Sequence, residues 1–212
     1  MKFKPEMLKA YFVCGSQDVP KGQLKPIVES AIKAGITAFQ FRDKGSGSTL
    51  SMVDRAAVAM ALRGRCAGAG IPFIVDDDVE LAKQVNADGI HVGQSDEQIQ
   101  RVVSEVGDQM MIGLSCSTAS EIERANTIDG IDYYGSGPVH ATGSKADADP
   151  VIGLAGLKQL VSLAKRPVVG IGGIAINDLS AVIATGAAGS AVISLIAQSD
   201  DIAGTVKAML EA

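Results

Sequence analysis

Eight short β-rich runs alternate with helix-patterned stretches along the whole chain, and this alternation is what most limits its possible folds. The runs are Tyr11 to Gly15, Ala38 to Arg42, Pro72 to Asp76, Gly89 to Gly93, Met110 to Ser115, Tyr133 to Gly137, Pro167 to Gly172 and Ser190 to Ser194. Between them, segments such as Gln23 to Ala34, Thr49 to Ala69, Ser95 to Val106 and Leu154 to Ala164 carry apolar residues at helical spacing. Strand–helix repetition builds a parallel sheet, and about eight units close more naturally into a (β/α)8 barrel than remain open. The expectation is therefore one α/β domain over residues 1–212, a single-domain TIM barrel. A Rossmann or flavodoxin-like sheet is the runner-up, but no G-x-G-x-x-G turn follows the first strand.

Composition supports this reading and narrows the partners. Many Ala, Val, Ile and Gly, few aromatics and no Trp suit buried strands under Ala-rich helices. A net charge of -5 with interspersed signs provides no basic stripe for a nucleic-acid backbone. Lys2, Lys4 and Glu6 stand where a signal peptide needs an apolar core, and no later run reaches membrane-spanning length, so a soluble cytoplasmic protein without membrane partners is expected. A homo-oligomer is compatible with this composition. Cys14, Cys66 and Cys116 lack the spacing of zinc or redox motifs and read as reduced packing residues.

In a barrel, active-site groups come from the C-terminal strand ends and the loops after them. The prominent polar residues collect there: Arg42, Asp43 and Lys44; Asp76, Asp77 and Asp78; Gln94 and Asp96; Ser115; Thr142, Ser144 and Lys145; Gly172 and Gly173; Ser194. Gly170 to Ile174 after a Val-rich run offers unobstructed backbone N–H groups, and Ile193-Ser194 would complete a phosphate site between the last two strands. Gln40, Arg42 and Lys44 alternate with Phe39 and Phe41, so a guanidinium, an ammonium and an amide face one way toward a polyanion. Asp77 and Asp96 are the candidate ligands of a hard cation, Mg2+ before zinc, whereas Asp78 reads as a helix cap. His91 reads as a satisfied strand residue, and His140 lies in a loop within reach of a substrate at the barrel mouth.

Taken in order, these segments resemble the thiamine-phosphate synthase family. The likeness rests on Gln40-x-Arg42-x-Lys44, the Ile74-x-Asp76-Asp77 run, Ala87 to Asp96, Ile112 to Ser115, Gly135 to Lys145, Gly170 to Ile174 and Val192 to Ser194. It implies a transferase that joins 4-amino-2-methyl-5-hydroxymethylpyrimidine diphosphate to a thiazole phosphate, carboxylated or not, releasing pyrophosphate. Arg42, Lys44, Ser115 and Lys145 would then be catalytic. Together with Gln40, Phe41, Asp43 and Asp76 they would hold the pyrimidine diphosphate. Thr142, Gly143, Ser144, Gly173, Ile193 and Ser194 would hold the thiazole phosphate, and Asp77 with Asp96 the Mg2+. Asp76 stands where the family commonly has Asn, Asp78 where it has Arg, His140 where it has an aromatic residue and Ser144 where it has Thr. The rivals are a thiazole tautomerase-like isomerase on the same barrel and a non-catalytic sensor of a phosphorylated ligand.

Overall fold

A computed structural model describes residues 1–45, 47–94, 96–144 and 149–212, with 96–98 described by their backbone alone. Among the described residues the strands β1 (Ala10–Cys14), β2 (Ala38–Phe41), β3 (Phe73–Asp76), β4 (Gly89–Val92), β5 (Met111–Ser115), β6 (Tyr133–Ser136), β7 (Val168–Ile171) and β8 (Gly189–Val192) form a closed barrel in chain order. Every neighbouring pair is parallel, and β1 pairs with β8 to close the ring. The barrel expected from the alternation is thus observed.

The strands read as nearly continuous apolar runs because both of their faces are covered. Phe12, Phe39, Phe41 and Phe73 point outward into the layer shared with the helices. Tyr11, Val13, Ile74, Tyr133 and Val169 fill the ring itself. Phe3 and Leu8 join that inner cluster, and Phe3 stacks on Tyr133 with ring centroids 5.7 Å apart, so the beginning of the chain plugs the floor.

The outer layer contains α1 (Leu24–Ala34), α2 (Met52–Ala69), α3 (Val79–Gln84), α4 (Asp96–Val106), α5 (Ala119–Ala125), α6 (Gly153–Leu163), α7 (Leu179–Ala184), α8 (Ser194–Ala197) and α9 (Ile202–Glu211). Helix α2 begins three residues later than its apolar pattern because the Ser51 hydroxyl caps the Asp54 N–H at 3.1 Å. The Asp78 carboxylate caps Leu81 N–H at 2.9 Å, as its spacing predicts, and it also pairs with Arg55 at 2.6 Å. Ahead of α7 the chain makes a 3-10 turn, Ile176–Asp178. No helix among the described residues is long and apolar enough to cross a membrane.

Candidate active site

With the floor plugged, a cavity of about 290 Å³ opens at the C-terminal end of the strands, and its lining draws on β2 through β8. Arg42 and Lys44 follow β2 and Asp76 ends β3, so parallel pairing alone brings two cations beside an acid. Lys44 Nζ lies 2.7 Å from Asp76 Oδ2, and Arg42 Nε lies 3.6 Å from the same oxygen. Lys44 also bonds Asp77, whose φ of 59° turns the chain sharply after β3, a conformation Asp tolerates better than most residues.

Asp76 is 7% exposed. Burial raises its carboxyl pKa against the pull of Lys44, and neighbouring Asp77 adds to the rise. Burial opposes the charge on Lys44, but Asp76 and Asp77 outweigh it and hold the ammonium above its ordinary pKa. The cluster is therefore a charged Lys44 shared by two carboxylates, with Arg42 also close to the deeper one.

Across the mouth, Gly172 and Gly173 have φ of 96° and 64° and line the same cavity as Ile193 and Ser194. A Cβ on Gly173 would fall 2.7 Å from the His140 carbonyl oxygen and 2.6 Å from that of Ala141. Only glycine lets these two loops pack. Thr142 and Ser144 line the cavity on this side, and Thr142 Oγ1 accepts the Ser144 N–H at 3.2 Å. Gly143 belongs to the wider opening of about 1210 Å³ that continues outward past Gln17 and Gln198. Helix α8 is a single turn, so this side offers backbone N–H groups and little helix dipole.

Three of the expected contacts are placed differently. The Phe41 ring is fully buried against Phe73 in the helical layer, because strand alternation puts its side chain on the face opposite Arg42. Asp43 ties loops together: one oxygen accepts Ser16 N–H at 2.8 Å and the other accepts Ser48 Oγ–H at 2.7 Å. Gln40 is turned down into the barrel, where its amide donates to Tyr11 Oη at 2.8 Å. Lys145 and the Asp96 side chain lie outside the described residues. Among those that are described, no group of three or more His, Cys, Asp or Glu forms a metal-type cluster.

Ser115 ends β5 beside the cavity, with its Oγ 3.0 Å from His91 Nε2. Gln94 bonds the Ser115 carbonyl and takes a bond from Arg124, fixing the loop after β4. Cys116 is buried and its thiol is pushed up to about 12, chiefly by burial, which suits the packing role read from its position. His140 Nε2 faces Asp178 at 3.5 Å. Sequence reasoning missed Tyr11 and Tyr133, which bond each other at 2.8 Å beneath the cavity; a tyrosine in an apolar strand carries no local sign of such a role.

The family described as Thiamine monophosphate synthase matches residues 10–196, which includes every strand and both sides of the mouth. The chain belongs to this family. Curated relatives described as Thiamine-phosphate synthase agree along the full length: one from Lactiplantibacillus plantarum is 58% identical over 100% of this chain and 97% of its own, and one from Levilactobacillus brevis is 54% identical over 99% and 97%. Among solved structures, the thiamine phosphate pyrophosphorylase from Pyrococcus furiosus superposes with a TM-score of 0.82 at 27% identity, covering 98% of this chain and 96% of that one. A structure described as native KDPGal, at 18% identity and a TM-score of 0.69, shares the fold alone. Relatives in this family carry the name of a transferase, thiamine-phosphate synthase, so the chain belongs among enzymes.

Proposed function

We propose that this chain joins 4-amino-2-methyl-5-hydroxymethylpyrimidine diphosphate to a thiazole phosphate, carboxylated or not, giving thiamine phosphate and pyrophosphate. The observation that carries the reading is one cavity with two differently built anion sides: Arg42 and Lys44 on one, the Gly172-Gly173 loop with Ser194 on the other. A single phosphorylated ligand would need only one of them.

The reaction is a dissociative displacement. The bond between the pyrimidine methylene carbon and the diphosphate oxygen breaks first, and both electrons leave with pyrophosphate. The thiazole nitrogen lone pair then captures the methylene cation. Arg42 holds diphosphate oxygens through its planar fork and Lys44 adds a point charge, so both oppose the charge that builds on the leaving group. The Ser115 hydroxyl donates to the same anion, and Lys145 belongs to this set by its place in the family motif. Backbone N–H groups at Gly173 and Ser194, with Thr142 and Ser144, fix the thiazole phosphate and so the approach of the nitrogen. Val92, Ile171 and Ile193 line the cavity and keep water from the cation.

The ligand set at the mouth also suits Mg2+: Asp76 and Asp77 are adjacent hard oxygen ligands, and among the described residues no well-aligned hydrogen bond reaches buried Asp76 Oδ2. Asp77, with Asp96 by its motif position, would hold the ion. Bound there, Mg2+ would neutralise the diphosphate; one or two carboxylates plus substrate phosphates are its usual company.

The test is to incubate the purified protein with both substrates, with and without Mg2+, and follow pyrophosphate and thiamine phosphate together. Equal amounts of the two products are expected. Pyrophosphate release that does not need the thiazole would mean hydrolysis, and no turnover would favour a sensor.

A further inference from the structure

Beneath the cavity, five side chains from five strands form a continuous hydrogen-bonded row. Gln40 Nε2 donates to Tyr11 Oη at 2.8 Å, Tyr11 Oη meets Tyr133 Oη at 2.8 Å, Tyr133 Oη meets His91 Nδ1 at 3.1 Å, and His91 Nε2 meets Ser115 Oγ at 3.0 Å. The first four are buried, and the row meets the cavity at its His91–Ser115 end. Room for the row is made by glycine: a Cβ on Gly113 would collide with the Tyr133 phenol and the His91 ring, and one on Gly135 would sit 3.0 Å from His91 Cε1.

A row of this kind has a direction. Each phenol has one proton, and burial raises the pKa of Tyr11 and Tyr133, so both stay protonated. Since Tyr11 accepts from Gln40, its own proton goes to Tyr133. The Tyr133 proton then goes to His91 Nδ1, which leaves the imidazole proton on Nε2, and a histidine's tautomer is set by the bond its other nitrogen makes. Nε2–H donates to Ser115 Oγ, and the Ser115 proton is left pointing into the cavity. Reversed, the row would use the Ser115 proton on His91 and turn oxygen lone pairs toward the ligand. A diphosphate has only acceptor oxygens, so the two directions have opposite consequences for binding.

Resting on the synthase reading above, we infer that Gln40, Tyr11, Tyr133 and His91 are positioning residues whose shared hydrogen-bond direction holds His91 as the Nε2–H tautomer and aims the Ser115 hydroxyl proton at the pyrimidine diphosphate. Gln40 thus serves this substrate through four intervening bonds.

The experiment is long-range 1H–15N NMR on 15N-histidine-labelled full-length protein. With two histidines in the chain, a His140→Gln variant assigns His91. The neutral His91 ring is expected as Nε2–H. In Gln40→Glu the carboxylate can only accept, so the row reverses and the signal moves to Nδ1–H. Ser115→Ala lowers kcat/KM for the pyrimidine diphosphate roughly 10- to 100-fold, the weight of a bond to a charged group. Gln40→Glu gives a loss of similar size, the double variant falls well short of the product of the two, and the thiazole phosphate KM stays put. Should Gln40→Glu fail to fold, Tyr133→Phe releases the lock, both tautomers appear, and halving the competent fraction costs about two-fold in affinity. An Nδ1–H ring in the wild type, a tautomer indifferent to these variants, or losses that multiply would each overturn the inference. A wild type that forms no thiamine phosphate defeats the synthase reading instead, and the tautomer still decides the direction of the row.

Discussion

Replacing Asp76 by Asn exchanges one buried oxygen for an amide and should make the ligand-free protein more stable at neutral pH. In the folded chain the Asp76 carboxyl sits above its ordinary value of 3.8 because burial outweighs Lys44. Below that value the group is protonated both folded and unfolded, and no penalty exists. As pH rises from there, the unfolded chain releases its proton first, so the native state loses stability until the folded group itself ionises. Each tenfold gap between the two acid constants is worth about 1.4 kcal/mol. Against this, Asn gives up the Lys44 contact, but that lysine is about a third exposed and keeps Asp77, so well under 1 kcal/mol is returned. The balance should favour the variant at neutral pH, read as a higher Tm than the parent's. Thermal melts at pH 7 and at pH 3.5, in chelator and without substrate, measure it: the gain appears at pH 7 and closes at pH 3.5. A variant less stable than the parent at pH 7 would show that the ion pair outweighs desolvation and refute the reasoning.

Lys145→Ala should leave the melting curve intact and slow turnover by roughly 10²-fold, as expected on losing a donor that stabilises the leaving group, read by steady-state pyrophosphate release. Gly173→Ala, at φ 64° and against two carbonyl oxygens, should raise the thiazole phosphate KM without raising that of the pyrimidine diphosphate, and cost about 1–2 kcal/mol in a denaturant melt. Removing Mg2+ with a chelator should stop thiamine phosphate formation and leave the secondary structure unchanged by circular dichroism, with activity returning when Mg2+ is restored.

The ring of strands was legible because it depends on periodicity: Phe39 and Phe41 alternate with Gln40 and Arg42, and the structure puts the first pair outside and the second inside. The collection of polar groups at one rim was legible for the same reason, since parallel strands deliver their ends to one side. The partners within the rim were not. Asp43 and Arg42 are adjacent in sequence, but one ties the Ser16 and Ser48 loops together while the other faces the cavity, and only tertiary packing separates them. Tyr11 and Tyr133 are 122 residues apart, and nothing local marks either as more than filling.

Ring closure has a consequence for how the protein is made. The last seam joins β1 to β8, and α1 packs against α9, so the two ends of the chain meet late. Arg42, Lys44 and Asp76 come from β2 and β3 and their ends, whereas the Gly173–Ser194 side comes from β7 and β8. A ribosome that has released only the earlier half has made a sheet with two open edges, and the Gly173–Ser194 wall of the cavity does not yet exist.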